Sequence, residues 1–386
     1  MRKINLLYVI TKLELGGAQR QLLSLIARLD KTKFNVFLLT AREGLLVPEA
    51  LSLDPLQVKL SPFLDRPINP IKDILVFFEI YSFIKINNID IVHTHSSKAG
   101  IIGRLAAALA GCKMIMHTVH GWSFYAAQHG GLRSFYIILE RVCARFSHRL
   151  IVVSNFDREE GLKRSIGREE QYLLIRYGID YAEFQVQPQA RESLRQDLGV
   201  KPGQLLVGMV GCLKPQKCPE DFLWLANRIK DAYPDVKFIL IGDGILRRRV
   251  TQLADQLGLG DRLILAGWRR DIPLLLSALD IFVLTSLWEG LPIVVLEAAA
   301  SAKPVLATDT GGIREFIVEG STGFLVRPRA VAEASVKLGS LLTDSTLRET
   351  VGSCARAALG SDYTTASMAK STQDLYESLA QTATNS

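Results

Sequence analysis

Short, continuous apolar runs alternate along the chain with longer segments whose apolar positions recur every three or four residues. Ile4–Ile10, Asn35–Thr40, Ile89–His93, Met114–Val119 and Leu150–Val153 are strand-like, and Ala18–Leu29, Ile71–Ile86, Ala99–Ala110 and Phe135–Phe146 between them are helix-like, Ile71–Ile86 reading as amphipathic. A short apolar run without polar alternation suits a strand buried on both faces. A Pro- and Gln-bearing stretch, Val186-Gln187-Pro188-Gln189, interrupts the series, which restarts with strands at Leu205–Val210, Val236–Ile241, Arg262–Ala266, Ile281–Leu284 and Pro304–Thr308. This alternation predicts parallel sheets covered on both faces by helices. The expected fold class is α/β, with two Rossmann-like doubly wound domains facing each other across a cleft. Their expected extents are 1–185 and 186–360. A last helix near 361–380, with Met368, Leu375 and Leu379 as apolar positions, is expected to pack back on the first domain.

A length of 386 residues agrees with two domains. The apolar share of 48 % and charged share of 22 % are those of a globular protein. No uninterrupted apolar stretch reaches the ~20 residues that span a bilayer, and Met1-Arg2-Lys3 leads into a strand-like run rather than a signal peptide. Five scattered cysteines, 112, 143, 212, 218 and 354, suggest reduced thiols rather than a disulfide framework. The expected location is the cytoplasm, with peripheral attachment to the inner face of the cytoplasmic membrane as an option.

Net charge is +7, and all of the excess lies in the first half: residues 1–186 hold 24 Lys+Arg against 17 Asp+Glu, and 187–386 hold 22 against 22. Between Asp90 and Glu140 there is no acidic residue, while Lys98, Arg104, Lys113 and Arg133 lie there and Arg141, Arg145 and Arg149 follow. A one-sided positive field attracts nucleic acid, an anionic lipid surface or a phosphorylated ligand. Arg133, Phe135, Tyr136, Ile137, Arg141, Arg145 and Arg149 are expected on one helical segment, the last three arginines recurring every fourth residue on roughly one face. That stripe suits an anionic leaflet, or it is a solvated face opposite a core face.

Chemistry concentrates where strands end. After Asp280–Leu284 comes Thr285-Ser286-Leu287-Trp288-Glu289-Gly290-Leu291-Pro292, then a helix carrying Glu297. Pro292 suits the first helical turn, where its missing N–H costs nothing. Two acceptor-only carboxylates beyond a parallel strand end can grip sugar or ribose hydroxyls, and the helix N-terminus attracts phosphate; the alternative is a pair of solvated surface acids. Gly16-Gly17-Ala18 and Gly211-Cys212-Leu213-Lys214-Pro215-Gln216-Lys217 occupy matching positions after the first strand of each series. Neither is the G-x-G-x-x-G dinucleotide fingerprint. Lys214 and Lys217 either neutralise a diphosphate or are solvated loop lysines. Gly242-Asp243-Gly244 and Gly311-Gly312 mark two more strand ends.

Five of the six histidines, His93, His95, His117, His120 and His129, fall in one stretch. His93 and His95 share one face of a strand, but the absence of acids nearby argues against a metal centre. His120 precedes Gly121-Trp122 and is expected on the cleft rim facing substrate. His93 and His117 are candidates for structural histidines.

Together these residues resemble glycosyltransferase family 4, retaining nucleotide-sugar-dependent transferases with the two-domain GT-B fold, over nearly the whole chain. The resemblance rests on Gly16-Gly17-Ala18, Val92-His93-Thr94-His95, Thr118-Val119-His120-Gly121, Val152-Val153-Ser154-Asn155, Tyr177-Gly178-Ile179-Asp180, Gly211 to Lys217, Glu289 to Glu297 and Gly311-Gly312. The E-x7-E element in its Glu-Gly-Leu-Pro context is the most specific. By this resemblance Lys217, with Lys214, binds the donor diphosphate, Glu297 the ribose hydroxyls and Glu289 the transferred sugar beside the backbone of Gly290 and Leu291. His120 contacts the sugar near the reacting carbon, Gly17 lies against the phosphates, and Arg269, in Gly267-Trp268-Arg269, marks the nucleobase. Cys212 stands where the family usually has Arg, and Tyr177 where it usually has Asn.

The resemblance further implies a metal-independent reaction without cofactor, in which the leaving diphosphate helps deprotonate the acceptor on the same face of the sugar. The implied partners are a nucleotide sugar, UDP-linked in preference to GDP-linked, a glycan or polyprenyl-diphosphate-linked acceptor, and an anionic membrane surface. A GT-B nucleotide-sugar epimerase is the alternative activity. No nucleic-acid module is present in the sequence, so nucleic acid is not an expected partner.

Overall fold

The structure is a computed structural model and describes residues 2–125 and 128–385. The chain forms two compact units, Met1–Gly178 with Thr365–Ser386, and Ile179–Thr364.

In the first unit β1 (Ile4–Ile10), α1 (Gly17–Arg28), β2 (Phe34–Ala41), α2 (Val47–Ser52), β3 (Gln57–Ser61), α3 (Pro70–Ile86), β4 (Ile91–His95), α4 (Ser97–Leu109), β5 (Met114–Val119), α5 (Gly130–Ala144), β6 (Arg149–Val152), α6 (Asn155–Lys163) and β7 (Tyr172–Leu174) follow in order. The seven strands form one parallel sheet in the order β3-β2-β1-β4-β5-β6-β7. The residues of β1 show why its apolar run is unbroken. Leu6, Tyr8 and Ile10 enter the core on one face, and Leu7 and Val9 enter the core on the other. Truncating either set would remove about 2–5 kcal/mol per leucine.

The second unit holds α7 (Pro188–Asp197), β8 (Leu205–Val210), α8 (Pro219–Ile229), β9 (Val236–Ile241), α9 (Arg247–Gln256), β10 (Leu263–Gly267), α10 (Ile272–Ala278), β11 (Ile281–Leu284), α11 (Ile293–Ala300), β12 (Val305–Thr308), β13 (Phe324–Val326), α12 (Val331–Thr343) and α13 (Ser345–Ala357). Its parallel sheet runs β10-β9-β8-β11-β12-β13. In both sheets the first strand has neighbours that leave in opposite directions, a topological switch point at which open α/β sheets bind ligands. The last helix, α14 (Thr365–Asn385), returns to the first unit, where Met368, Tyr376 and Leu379 join the core beside α1 and β1.

Three expectations need correction. α3 carries apolar side chains on its outer as well as its inner face: Val76, Ile80 and Ile84 are buried, yet Ile71 is 74 % exposed, and Ile74, Leu75 and Phe78 also face outward. It is therefore not amphipathic in the ordinary sense. Arg149 lies on β6, because α5 ends at Ala144, so of the last three arginines only Arg141 and Arg145 stay near that helix. Arg104 contributes nothing to a surface field; it is fully buried and paired with Glu140 at 2.6 Å, and Lys98 pairs with Asp73. Among the described residues no helix is long and apolar enough to cross a membrane.

Candidate active site

The second unit builds its site where β8 and β11, paired neighbours in the sheet, end. The loops that leave them are laced together. Leu287 N donates to Gln216 O at 2.7 Å, Gln216 Nε2 donates to Trp288 O at 2.9 Å, and Thr285 Oγ1 donates to the carbonyls of Lys217 and Cys218 at 3.1 and 2.9 Å. This lacing brings Lys217 Nζ onto Glu289 Oε1 as an ion pair whose side chains are only 14 % and 7 % exposed. Ser286 Oγ donates to the same carboxylate oxygen at 2.6 Å, and Gln216 Nε2 lies 3.4 Å from the other. Glu297, the fifth residue of α11, is 4 % exposed. Neither carboxylate is a solvated surface acid, and Lys217 is not a solvated lysine.

The strand exits around this pair need glycine for a definite reason. Gly311 has φ +58, and a Cβ there would sit 2.0 Å from the Glu289 carbonyl oxygen. Gly312 N donates to Gly290 O at 2.6 Å, so the exit of β12 props the Glu289–Gly290–Leu291 backbone from below. Gly242, φ +132, presses against the Gly211 carbonyl in the same way. Gly290 and Leu291 are buried. Pro292 is the N-cap of α11 rather than its first turn. Lys214 immediately precedes the 3-10 turn Pro215–Lys217. Arg269, past the end of β10, forms a two-pronged pair with Asp271. The structure thus gathers Lys217, Glu289, Gly290 and Leu291 at one point, with Arg269 engaged elsewhere.

The first unit places four of its histidines on or just beyond β4 and β5. His93 accepts or donates to Tyr376 Oη at 2.5 Å and Thr118 Oγ1 at 2.7 Å, and Tyr376 Oη is also 2.8 Å from Tyr8 Oη. His117 bonds Thr94 Oγ1 at 2.9 Å, with Gly100 packed flat against its ring. Both are satisfied structural histidines. His120 is half-buried, with Nδ1 2.6 Å from Tyr177 Oη and Nε2 2.9 Å from His95 Nδ1. Burial disfavours the imidazolium form of these four: His120 is lowered to about 4, His93 to about 3, and His95 and His117 lie well below their ordinary range. Gly17 opens α1 in the loop beyond β1. Among the described residues no three His, Cys, Asp or Glu side chains are grouped to hold a metal ion.

Ser286, Gln216, His95 and Tyr177 are the supporting residues that sequence reasoning did not assign. Ser286 and Gln216 lie inside motifs recognised for other positions. Tyr177 was visible only as a departure from the family pattern.

Comparison with known proteins places the two units. The family model described as Glycosyltransferase Family 4 matches residues 15–183, and that of the glycosyl transferases group 1 matches residues 190–358. An Escherichia coli enzyme, the UDP-Gal:alpha-D-GlcNAc-diphosphoundecaprenol alpha-1,3-galactosyltransferase, is 35 % identical over 327 residues, 84 % of each chain. The O-antigen biosynthesis glycosyltransferase WbnH, also of Escherichia coli, is 29 % identical over 323 residues, 83 % of this chain and 86 % of its own. The crystal structure of Anabaena HepE with UDP and glucose superposes with a TM-score of 0.85 at 22 % identity, over 97 % of this chain and 100 % of HepE, a likeness of fold. The chain belongs to glycosyltransferase family 4, with the GT-B fold. It is a glycosyltransferase; both Escherichia coli relatives are named as transferases, and the epimerase alternative has no support among them.

Proposed function

We propose that the protein is a retaining, metal-independent transferase. It moves a hexosyl or N-acetylhexosaminyl group from a UDP-sugar to a glycan carried on a polyprenyl diphosphate, at an anionic membrane surface on the cytoplasmic side. The observation that carries this reading is the enclosed Lys217–Glu289 pair at the switch point of the second sheet. An arriving diphosphate competes with Glu289 for the Lys217 ammonium and frees the carboxylate for sugar hydroxyls. As the bond from C1 to the β-phosphate oxygen breaks, charge develops on that phosphate, where Lys217 and Lys214 neutralise it. The acceptor hydroxyl attacks C1 from the same face and passes its proton to the departing phosphate oxygen, which retains the anomeric configuration. Glu297 holds the ribose, Arg269 lies on the nucleobase side, and Gly290 and Leu291 offer backbone to the sugar. Gly17 and His120 are assigned to the phosphates and the sugar by family position.

The UDP complexes of HepE support a uridine donor, and the Escherichia coli galactosyltransferase, named for a diphosphoundecaprenol acceptor, supports a lipid-linked one. Membrane attachment is supported by two helices of the first unit that both pack on α4. Besides the outward apolar row on α3, Leu132, Phe135, Ile138 and Val142 of α5 are exposed near the exposed Arg141 and Arg145. Tyr136 and Ile137 of α5 pack against the core, while Phe135 and these neighbours face outward. Interfacial binding scales with such apolar area and with basic charge. A panel of UDP- and GDP-sugars, offered with a polyprenyl-diphosphate-linked N-acetylglucosamine acceptor in EDTA, tests the reading. Turnover with a UDP-sugar is expected; turnover only with a GDP-sugar, or only with added divalent metal, contradicts it.

A further inference from the structure

His120 is engaged at both ring nitrogens, and the way it is engaged defines a proton arrangement. Its ring lies nearly parallel to those of His95 and Tyr177, at 24° and 19°, with centroids 5.1 and 5.7 Å away, so the bonds run edge to edge in the ring planes. A bond between two neutral imidazole nitrogens requires one protonated and one bare partner. His95 Nε2 is buried without a hydrogen-bond partner. A bare lone pair there is less costly than an orphaned N–H. The proton of His95 therefore sits on Nδ1 and is donated to His120 Nε2 across 2.9 Å, so the His120 proton sits on Nδ1 and is donated to Tyr177 Oη across 2.6 Å. Tyr177 is itself fixed. It is buried, and its neighbour Gly178 exchanges two bonds with the side chain of Gln21 on α1, at 2.8 and 3.0 Å.

We propose that Tyr177 is a positioning residue for the transfer reaction: its hydroxyl fixes the plane and tautomer of His120 so that Nε2 stays a bare acceptor. A sugar hydroxyl then binds by inserting between the two rings, donating to His120 Nε2 while its oxygen accepts from His95 Nδ1–H, so no proton rearranges in either ring and no N–H is left unpaired. This rests on the reading that His120 meets the transferred sugar.

A double-mutant cycle of His120→Ala, Tyr177→Phe and the pair separates the two claims, read as kcat and donor KM with the UDP-sugar that turns over. Tyr177→Phe is expected to lower kcat about 5- to 15-fold, the loss of one positioning hydrogen bond, with donor KM within about twofold. In the His120→Ala background it is expected to change nothing further. If His120→Ala leaves kcat unchanged, the assignment of His120 to the sugar fails. If His120→Ala lowers kcat but Tyr177→Phe does not, or lowers it equally in both backgrounds, the positioning role is overturned while His120 stands. Independently of activity, 15N NMR of the histidine-labelled wild-type protein is expected to show His120 protonated at Nδ1. Protonation at Nε2 would overturn the proposal even if the variants failed to fold.

Discussion

Glu289→Gln isolates the exchange at the centre of the site. In the free protein the carboxylate holds Lys217 and accepts from Ser286 at 2.6 Å, in surroundings that leave the two side chains 14 % and 7 % exposed. An exposed pair contributes about 0–1 kcal/mol and breaking a fully buried one costs about 3–5 kcal/mol. With some solvent contact left and the Ser286 bond available to an amide oxygen, the expected loss is about 1–3 kcal/mol. At about 2–4 °C per kcal/mol for a domain of roughly 150–250 residues, the melting temperature should fall by about 2–12 °C. UDP supplies Lys217 with a new anionic partner and no longer has to displace a carboxylate, so its Kd should tighten by about 3- to 10-fold, where tenfold is about 1.4 kcal/mol. Turnover should move the other way. Sugar hydroxyls lose a charged acceptor of about 1.5–3 kcal/mol, which lowers kcat by about 10- to 150-fold. Thermal scanning and titration calorimetry with UDP, followed by steady-state assay, read all three. UDP binding that weakens in the variant would refute the competition between carboxylate and diphosphate.

Gly311→Ala should cost more than about 1 kcal/mol and most of the activity, because a Cβ at φ +58 meets the Glu289 carbonyl at 2.0 Å; wild-type melting and turnover would contradict that. Stability should fall as pH drops from about 6.5 towards 4: the unfolded chain then takes up protons that His93 and His120, lowered to about 3 and about 4, together with His95 and His117, refuse while folded. Each contributes up to about 1.4 kcal/mol per pH unit, so urea midpoints equal at pH 7.5 and pH 5 would count against these burial shifts. Sedimentation with vesicles should rise with anionic lipid and fall with salt, and weaken in Ile74→Asp/Phe78→Asp and in Arg141→Glu/Arg145→Glu. Wild-type protein that ignores anionic vesicles at low salt would rule out attachment through these helices.

The central strands were legible because a strand buried on both faces has no choice but a continuous apolar run; Met114–Val119 and Ile281–Leu284 have the same bounds in the structure as in the sequence reading. The short strands β3, β7 and β13 were not found, since three to five residues such as Gln57–Ser61 carry too few side chains to declare a period. α7 was hidden by Pro188, which sits at its first turn but reads as a break. The motif residues Lys217 and Glu289 were visible singly. Their pairing was not, because it is made by loops 72 residues apart, whose register only the sheet sets. Tyr376 was missed for the same reason: its bond to His93 spans 283 residues and depends on where α14 docks.

The measurement closest to the central claim is the anomeric configuration of the product formed from an α-linked UDP-sugar on a polyprenyl-diphosphate-linked acceptor in EDTA, read from the one-bond C1–H1 coupling by NMR. An α-linked product formed at undiminished rate is expected, with its yield collapsing in Glu289→Gln. A β-linked product, or a reaction that stops until a divalent cation is added, would contradict the account.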